Sequence, residues 1–172
     1  MEPNGCVAIP EGDSMTFYAS TQAAHGLRDG LAPTLGLEPD NLRVIAPWVG
    51  GGFGPKAGLY IEFILCGKAA QELARPVRWT EQRGENMLSM AQGRAMVMTA
   101  DLGVNNDGSI VGLKARVVAD AGAYPAIGAI LPMLTMQLSQ AVYDIPAIDF
   151  FAQSVLTNTT VIGAYRGAGR PE

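Results

Sequence analysis

The chain has 172 residues, 48% hydrophobic and 16% charged, a composition that suits a single globular domain with a sizeable core and gives no sign of disorder. Its net charge is −4 with scattered basic residues, so it carries neither a nucleic-acid stripe nor a polybasic membrane anchor. His25 is the only histidine and Cys6 and Cys66 lie far apart, so the usual zinc ligand set cannot be assembled, and a reducing, cytoplasmic setting fits best. No apolar run reaches the ~20 residues of a membrane span, and Met1-Glu2-Pro3-Asn4-Gly5 lacks the basic-then-apolar pattern of an export signal.

Cys6–Ile9 and Met15–Ala19 are β-like runs around Pro10-Glu11-Gly12-Asp13, which predicts an opening hairpin. Ser20 or Thr21 is placed to cap a helix from Gln22 to Leu35, with Leu27, Leu31 and Leu35 at fourfold spacing and Gly26, Gly30 and Pro33 weakening it. A turn leads into a strand over 42–46 and then into Trp48-Val49-Gly50-Gly51-Gly52-Phe53-Gly54-Pro55-Lys56. A second helix is expected from Gly58 to Ala74, buried along the row Ile61, Leu65, Ala69 and Leu73. Arg75-Pro76 stops it and Val77–Thr80 reads as a strand, so 42–80 has the order of a β–loop–α–β unit with parallel pairing.

Residues 81–90 suggest a short charged helix, with Glu81, Glu85, Arg78 and Arg83 forming a solvated cluster. Strands over 94–104 and 109–120 flank Asn105-Asn106-Asp107-Gly108, the strongest hairpin signal in the chain. The apolar stretch Ile127–Val142 is expected to be a helix, and Ala147–Thr157 another strand, before a second glycine motif at Gly163–Arg170. The expected fold class is mixed α/β (α+β).

Chemistry gathers at the first glycine loop. Adjacent residues without a Cβ can take positive φ and turn N–H groups toward a phosphate or oxo group, with a following helix N-terminus adding partial positive charge. A dinucleotide fingerprint is excluded, because the sixth place counted from Gly50 is Pro55 and from Gly167 is Glu172; Gly67-Lys68-Ala69 likewise fails as a phosphate-binding loop. His25 alone makes no base, and the eight methionines read as core filler.

In order along the chain stand Ser20-Thr21-Gln22, Gly50-Gly51-Gly52-Phe53-Gly54-Pro55-Lys56, Asp120-Ala121-Gly122-Ala123-Tyr124 and Ala164-Tyr165-Arg166-Gly167-Ala168-Gly169. Together they resemble the molybdenum hydroxylases, the family of xanthine dehydrogenase, aldehyde oxidase and the carbon monoxide dehydrogenase large subunit. The resemblance implies that residues 1–172 are part of a molybdopterin-binding domain within a larger subunit that continues at both ends. By it, Gln22 places a side-chain amide beside the metal's oxo group, Gly51, Gly52, Phe53 and Gly54 offer backbone to the cofactor, and Arg166 with Gly167 lies next to the active centre. Gln22 and Arg166 are thus the candidate catalytic residues, and no protein side chain is a metal ligand. Asp120–Tyr124 is taken as structural.

The family's reaction hydroxylates an electron-poor carbon with water as the oxygen source. Its cofactor is molybdenum-molybdopterin, with the cytosine dinucleotide form open, and electrons leave through 2Fe-2S centres and FAD on partner subunits or domains. The substrate is a small molecule. The general-base glutamate of that family has no counterpart here, which keeps a non-catalytic or truncated cofactor-binding domain as the alternative. Ala57 stands where purine-oxidising members carry glutamate, and Ala168 where they carry a stacking phenylalanine. The run Tyr165–Arg170 lacks the cysteine of the CO-oxidising members, leaving an aldehyde or N-heteroaromatic carbon as the expected substrate.

Overall fold

The alternation of residues 5–19 forms the expected hairpin, β1 (Gly5–Glu11) and β2 (Ser14–Ala19), whose inward residues Cys6, Ala8, Met15, Phe17 and Ala19 are buried. In the computed structural model, which describes residues 1–172, the chain forms two compact units, Met1–Leu88 and Ser89–Glu172, within the span that composition reads as one domain.

In the first unit the hairpin is the centre of a four-stranded sheet of order β3-β2-β1-β4, with β3 at Leu42–Ile45 and β4 at Val77–Thr80. The β–loop–α–β reading of 42–80 is corrected here, because β3 and β4 occupy opposite edges and do not pair. The parallel pair is β2–β3, Met15 opposite Leu42 to Tyr18 opposite Ile45, while β4 runs antiparallel to β1. A hairpin closed by a tight turn leaves both outer edges open, and each later strand fills one of them.

Helix α1 (Ala24–Leu35) joins β2 to β3 and buries Leu27, Leu31, Ala32 and Leu35, as its spacing predicts. It ends at Gly36, at φ 71°, whose N–H reaches the carbonyls of Ala32 and Pro33. Neither expected cap is used. The helix begins at Ala23 without a side-chain cap, Ser20 Oγ accepts the N–H of Gly5 at 2.9 Å, and Thr21 is engaged with Lys56.

Helix α2 (Ile61–Leu73) starts later than expected, after a 3-10 turn at Pro55–Ala57, so the glycine loop does not run directly into it. Its buried face is also a different one: Phe63, Cys66, Gly67 and Ala70 point inward, whereas Ile61, Leu65 and Leu73 are more than half exposed. A helix that is apolar over much of its circumference carries little rotational signal, and close approach decides the face. A Cβ on Gly67 would lie 2.8 Å from Leu35 Cδ1, so the missing side chain is what lets α2 meet α1. Phe63 then stands edge-on to Phe17, Tyr60 and Trp79, with centroids 6.0, 5.9 and 6.3 Å away. Burying each such ring contributes about 1.5–3 kcal/mol. Cys6 and Cys66, distant in sequence, are both buried in this core, and burial first, then the neighbouring Cys66, pushes the Cys6 thiol well above its ordinary range.

Helix α3 (Arg83–Ser89) follows β4. Glu81 is not part of a solvated cluster: it is buried, accepts the N–H of Asn4 at 2.6 Å and Asn86 Nδ2 at 2.8 Å, and its own N–H returns to Asn4 O. Sequence spacing put it on an exposed helix face, but it precedes the helix and ties the N-terminal segment to it.

The second unit is a three-stranded sheet, β5 (Met96–Val104), β6 (Ile110–Gly122) and β7 (Ile148–Leu156), in that order. β5 and β6 are the expected hairpin, closed by the bond from Gly108 N–H to Asn105 O at 2.9 Å with Gly108 at φ 87°. β7 returns parallel to β6, Leu113 opposite Ile148, through a 3-10 turn (Ile127–Ile130) and α4 (Leu131–Leu138). The single helix expected over 127–142 is therefore shorter: Pro132 belongs in a first helical turn and so fixes where α4 begins. At the end of β6, Asp120 accepts the hydroxyls of Thr157 and Thr159 at 2.7 and 2.8 Å and the N–H of Gly122 at 2.7 Å, which gives its motif the structural role expected.

Candidate functional site

The first glycine loop is held at several points within the first unit. The N–H of Glu2 binds Gly50 O at 2.9 Å, Tyr60 Oη donates to Pro55 O at 2.7 Å, and Lys56 Nζ donates to Val49 O and, at 3.4 Å, to Pro3 O. Burial, with the carboxylates of Glu81 and Glu62 adding to it, pushes Tyr60 up to about 12, so it remains a phenol donor at neutral pH. Burial lowers Lys56, and the negative charges of Glu2 and Glu81 oppose that shift. Only 1% of Lys56 is exposed, so this cation belongs to the interior of the loop and not to its surface.

Within that frame Gly50, Gly51, Phe53 and Gly54 take positive φ of 67°, 85°, 52° and 95°. Part of the need for glycine is local packing. A Cβ on Gly51 would lie 2.6 Å from the Phe53 ring, one on Gly50 would strike Glu2, and one on Gly52 would collide with Gln22 Oε1 and lie 2.8 Å from Gln22 Cβ. Phe53 stays half exposed, its ring lying over Gly51 as one wall of the loop.

Gln22 and the loop come together: Gly54 N–H donates to Gln22 Oε1 at 2.8 Å. That bond orients the amide, so its Nε2 hydrogens are the ones available outward. The main chain of Gln22 is fixed as well, since its N–H donates to Lys56 O at 3.0 Å and Thr21 Oγ1 donates to the same oxygen at 3.0 Å. The N–H groups of Gly51, Gly52 and Phe53 donate to no acceptor within the chain. A set of free N–H donors beside a primary amide suits oxo or phosphate oxygens, which are acceptors only, and so fits an oxygen-rich anionic cofactor.

Arg166 and Gly167 belong to the second unit. Arg166 is exposed at φ 58°, and a Cβ on Gly167 would lie 2.6 Å from Pro171 Cγ, so that glycine too has a packing reason. Arg94 Nη2 holds the loop through Tyr165 O at 2.7 Å. Sequence reasoning assigned no role to Lys56 or Arg94. Lys56 had a signal, a lone lysine closing a run of glycines and apolar residues, whereas nothing near Arg94 in sequence marks it.

The model of the molybdopterin cofactor-binding domain family matches residues 1–172, and the chain belongs to that family. It is 35% identical to the nicotine 6-hydroxylase large subunit of Paenarthrobacter nicotinovorans, covering 98% of this chain and 21% of that protein. It is 36% identical to the carbon monoxide dehydrogenase large chain of Hydrogenophaga pseudoflava, covering 96% of this chain and 21% of that one. The crystal structure of quinoline 2-oxidoreductase from Pseudomonas putida 86 superimposes with a TM-score of 0.93 at 33% identity, over 98% of this chain and 22% of that one. The chain thus spans about a fifth of the length of the relatives it matches. These relatives are molybdenum hydroxylases and dehydrogenases, and the mixed α/β architecture is that of their molybdopterin-binding domains.

Proposed function

We propose that this chain supplies part of the cofactor site of a molybdenum-dependent oxidoreductase that hydroxylates an aldehyde or N-heteroaromatic carbon with oxygen from water. The bond from Gly54 N–H to Gln22 Oε1 carries the reading, because it sets a primary amide beside a run of unspent N–H donors. When bound, the molybdenum-molybdopterin group would supply the oxidising centre and the electron sink. Gln22 Nε2 would donate to an oxygen of that group and so would stabilise negative charge on it. The N–H groups of Gly51, Gly52 and Phe53 would also donate to oxygens of that group and Phe53 would limit water access, while a role for Arg166 and Gly167 beside the active centre rests on the family resemblance alone.

The substrate class rests on Ala57, Ala168 and the absence of cysteine from Tyr165 to Arg170. With no thiolate in that loop there is no soft ligand for Cu(I), so carbon monoxide is not the expected substrate despite the likeness to the large chain named above. Iron–sulfur and FAD partners, a cytoplasmic location and the cytosine dinucleotide form of the pterin belong to the same proposal; no helix is long and apolar enough to cross a membrane. Elemental analysis and substrate competition on the assembled full-length enzyme test it. The expected result is molybdenum without copper, no CO-dependent dye reduction and a kcat/KM for aromatic aldehydes or N-heterocycles above that for xanthine. A full-length subunit that never acquires molybdenum would instead mark a non-catalytic domain.

A further inference from the structure

Lys56 is buried at the base of the glycine loop, and its hydrogen bonds run in both directions. Its ammonium donates to the carbonyls of Val49 and Pro3, at the loop's entrance and in the N-terminal segment, while its own carbonyl accepts Thr21 Oγ1 and Gln22 N–H. Its N–H closes the loop on Gly52 O at 3.4 Å. One residue therefore touches both sides of the pair formed by Gln22 and Gly54.

We propose that Lys56 is a positioning residue that sets Gln22 against the Gly51–Gly54 donors by clamping the loop entrance with its ammonium and the Gln22 main chain with its carbonyl. This rests on the cofactor-site reading above and deepens it. A buried ammonium is a costly way to hold two carbonyls, and a neutral side chain of equal length would fill the space without gathering them. The charge gathers the Val49 and Pro3 carbonyls, and so ties the residue before Gly50 to the N-terminal segment. Arginine keeps the charge but spreads it over a wider planar group, so it restores the clamp in part.

The test uses Lys56→Met, Lys56→Arg and Thr21→Val in the full-length subunit within the assembled enzyme. Four readouts are taken: amide hydrogen exchange of residues 49–56, molybdenum per protomer, kcat against KM, and Tm. For Lys56→Met the expected result is at least tenfold faster exchange over 49–56. Molybdenum content should drop at least twofold, with kcat per bound molybdenum down at least tenfold and KM within twofold. Lys56→Arg should recover part of each. Thr21→Val should speed exchange over 52–56 and lower kcat per molybdenum, and it decides the matter should Lys56→Met fail to fold. Wild-type exchange, molybdenum content and kcat in folded Lys56→Met overturn the proposal, as does an unchanged Thr21→Val beside an unfolded Lys56→Met. Lack of molybdenum in the wild-type enzyme would refute the cofactor reading alone, because hydrogen exchange still reports whether Lys56 holds the loop.

Discussion

Gln22 shows how a single side chain can be legible in sequence and yet acquire meaning only from a partner. Its Oε1 is occupied by Gly54 N–H at 2.8 Å, which leaves a donor and not an acceptor facing outward. In the full-length enzyme Gln22→Ala is expected to lower kcat by about 10²–10³, equivalent to about 2.7–4 kcal/mol, with KM and molybdenum content little changed. Steady-state kinetics on metal-replete protein checks this. Gly52→Ala should give the same kinetic loss by another route, since its Cβ would displace the Gln22 amide while leaving it in the chain. Equal kcat in both variants and wild type would remove the amide from the chemistry.

Elements are fixed by contacts their own sequence does not announce. At the end of β6, Gly122 has φ 70°, and a Cβ there would strike the backbone oxygen of Thr160. Gly122→Ala should therefore destabilise the second unit by about 1–3 kcal/mol, read as a lower midpoint in urea with little change in slope. The same strand end carries a pH-sensitive tie. Hydrogen bonds from Thr157, the Gly122 N–H and Thr159 hold Asp120 below the ordinary carboxylate range. A depressed carboxylate contributes stability that is fully present above its unfolded value of about 3.9 and is lost as pH falls through the folded value. Asp120→Asn is thus expected to lower Tm at pH 7, with the difference from wild type closing in the acid range; parallel Tm curves from pH 7 to pH 2 would count against it.

Across the whole chain the two units differ in how much apolar surface they cover. The first has a continuous core from Cys6 to Ala70, whereas the sheet of the second leaves Val97, Leu102, Val104, Phe151 and Leu156 about half exposed or more. Exposed apolar surface on that scale promotes association. The purified 172-residue chain is expected to bind a hydrophobic dye and to grow in apparent mass with concentration, and light scattering from a monodisperse monomer would contradict this. It is also expected to turn over no substrate by itself, since no general-base glutamate motif of the family lies within residues 1–172; activity of that chain would refute the expectation.

The sequence by itself determined the strands and helices whose signals are local: the hairpin around Gly12, the leucine spacing of α1, the Asn105–Gly108 turn, and the mixed α/β class they add up to. It also marked the glycine loop, because adjacent residues without a Cβ are unusual enough to notice, and it pointed to Gln22 through the resemblance of the ordered motifs to the molybdenum hydroxylases. It misplaced the buried face of α2, the solvated reading of Glu81 and the pairing of β3 with β4, each of which depends on partners far away in the chain. Gly67 against Leu35, Asn4 against Glu81 and the open edges of the first hairpin decide them. Lys56 is the sharpest case: the letters show a charged residue after glycines, and only the fold buries it between the carbonyls of Val49 and Pro3.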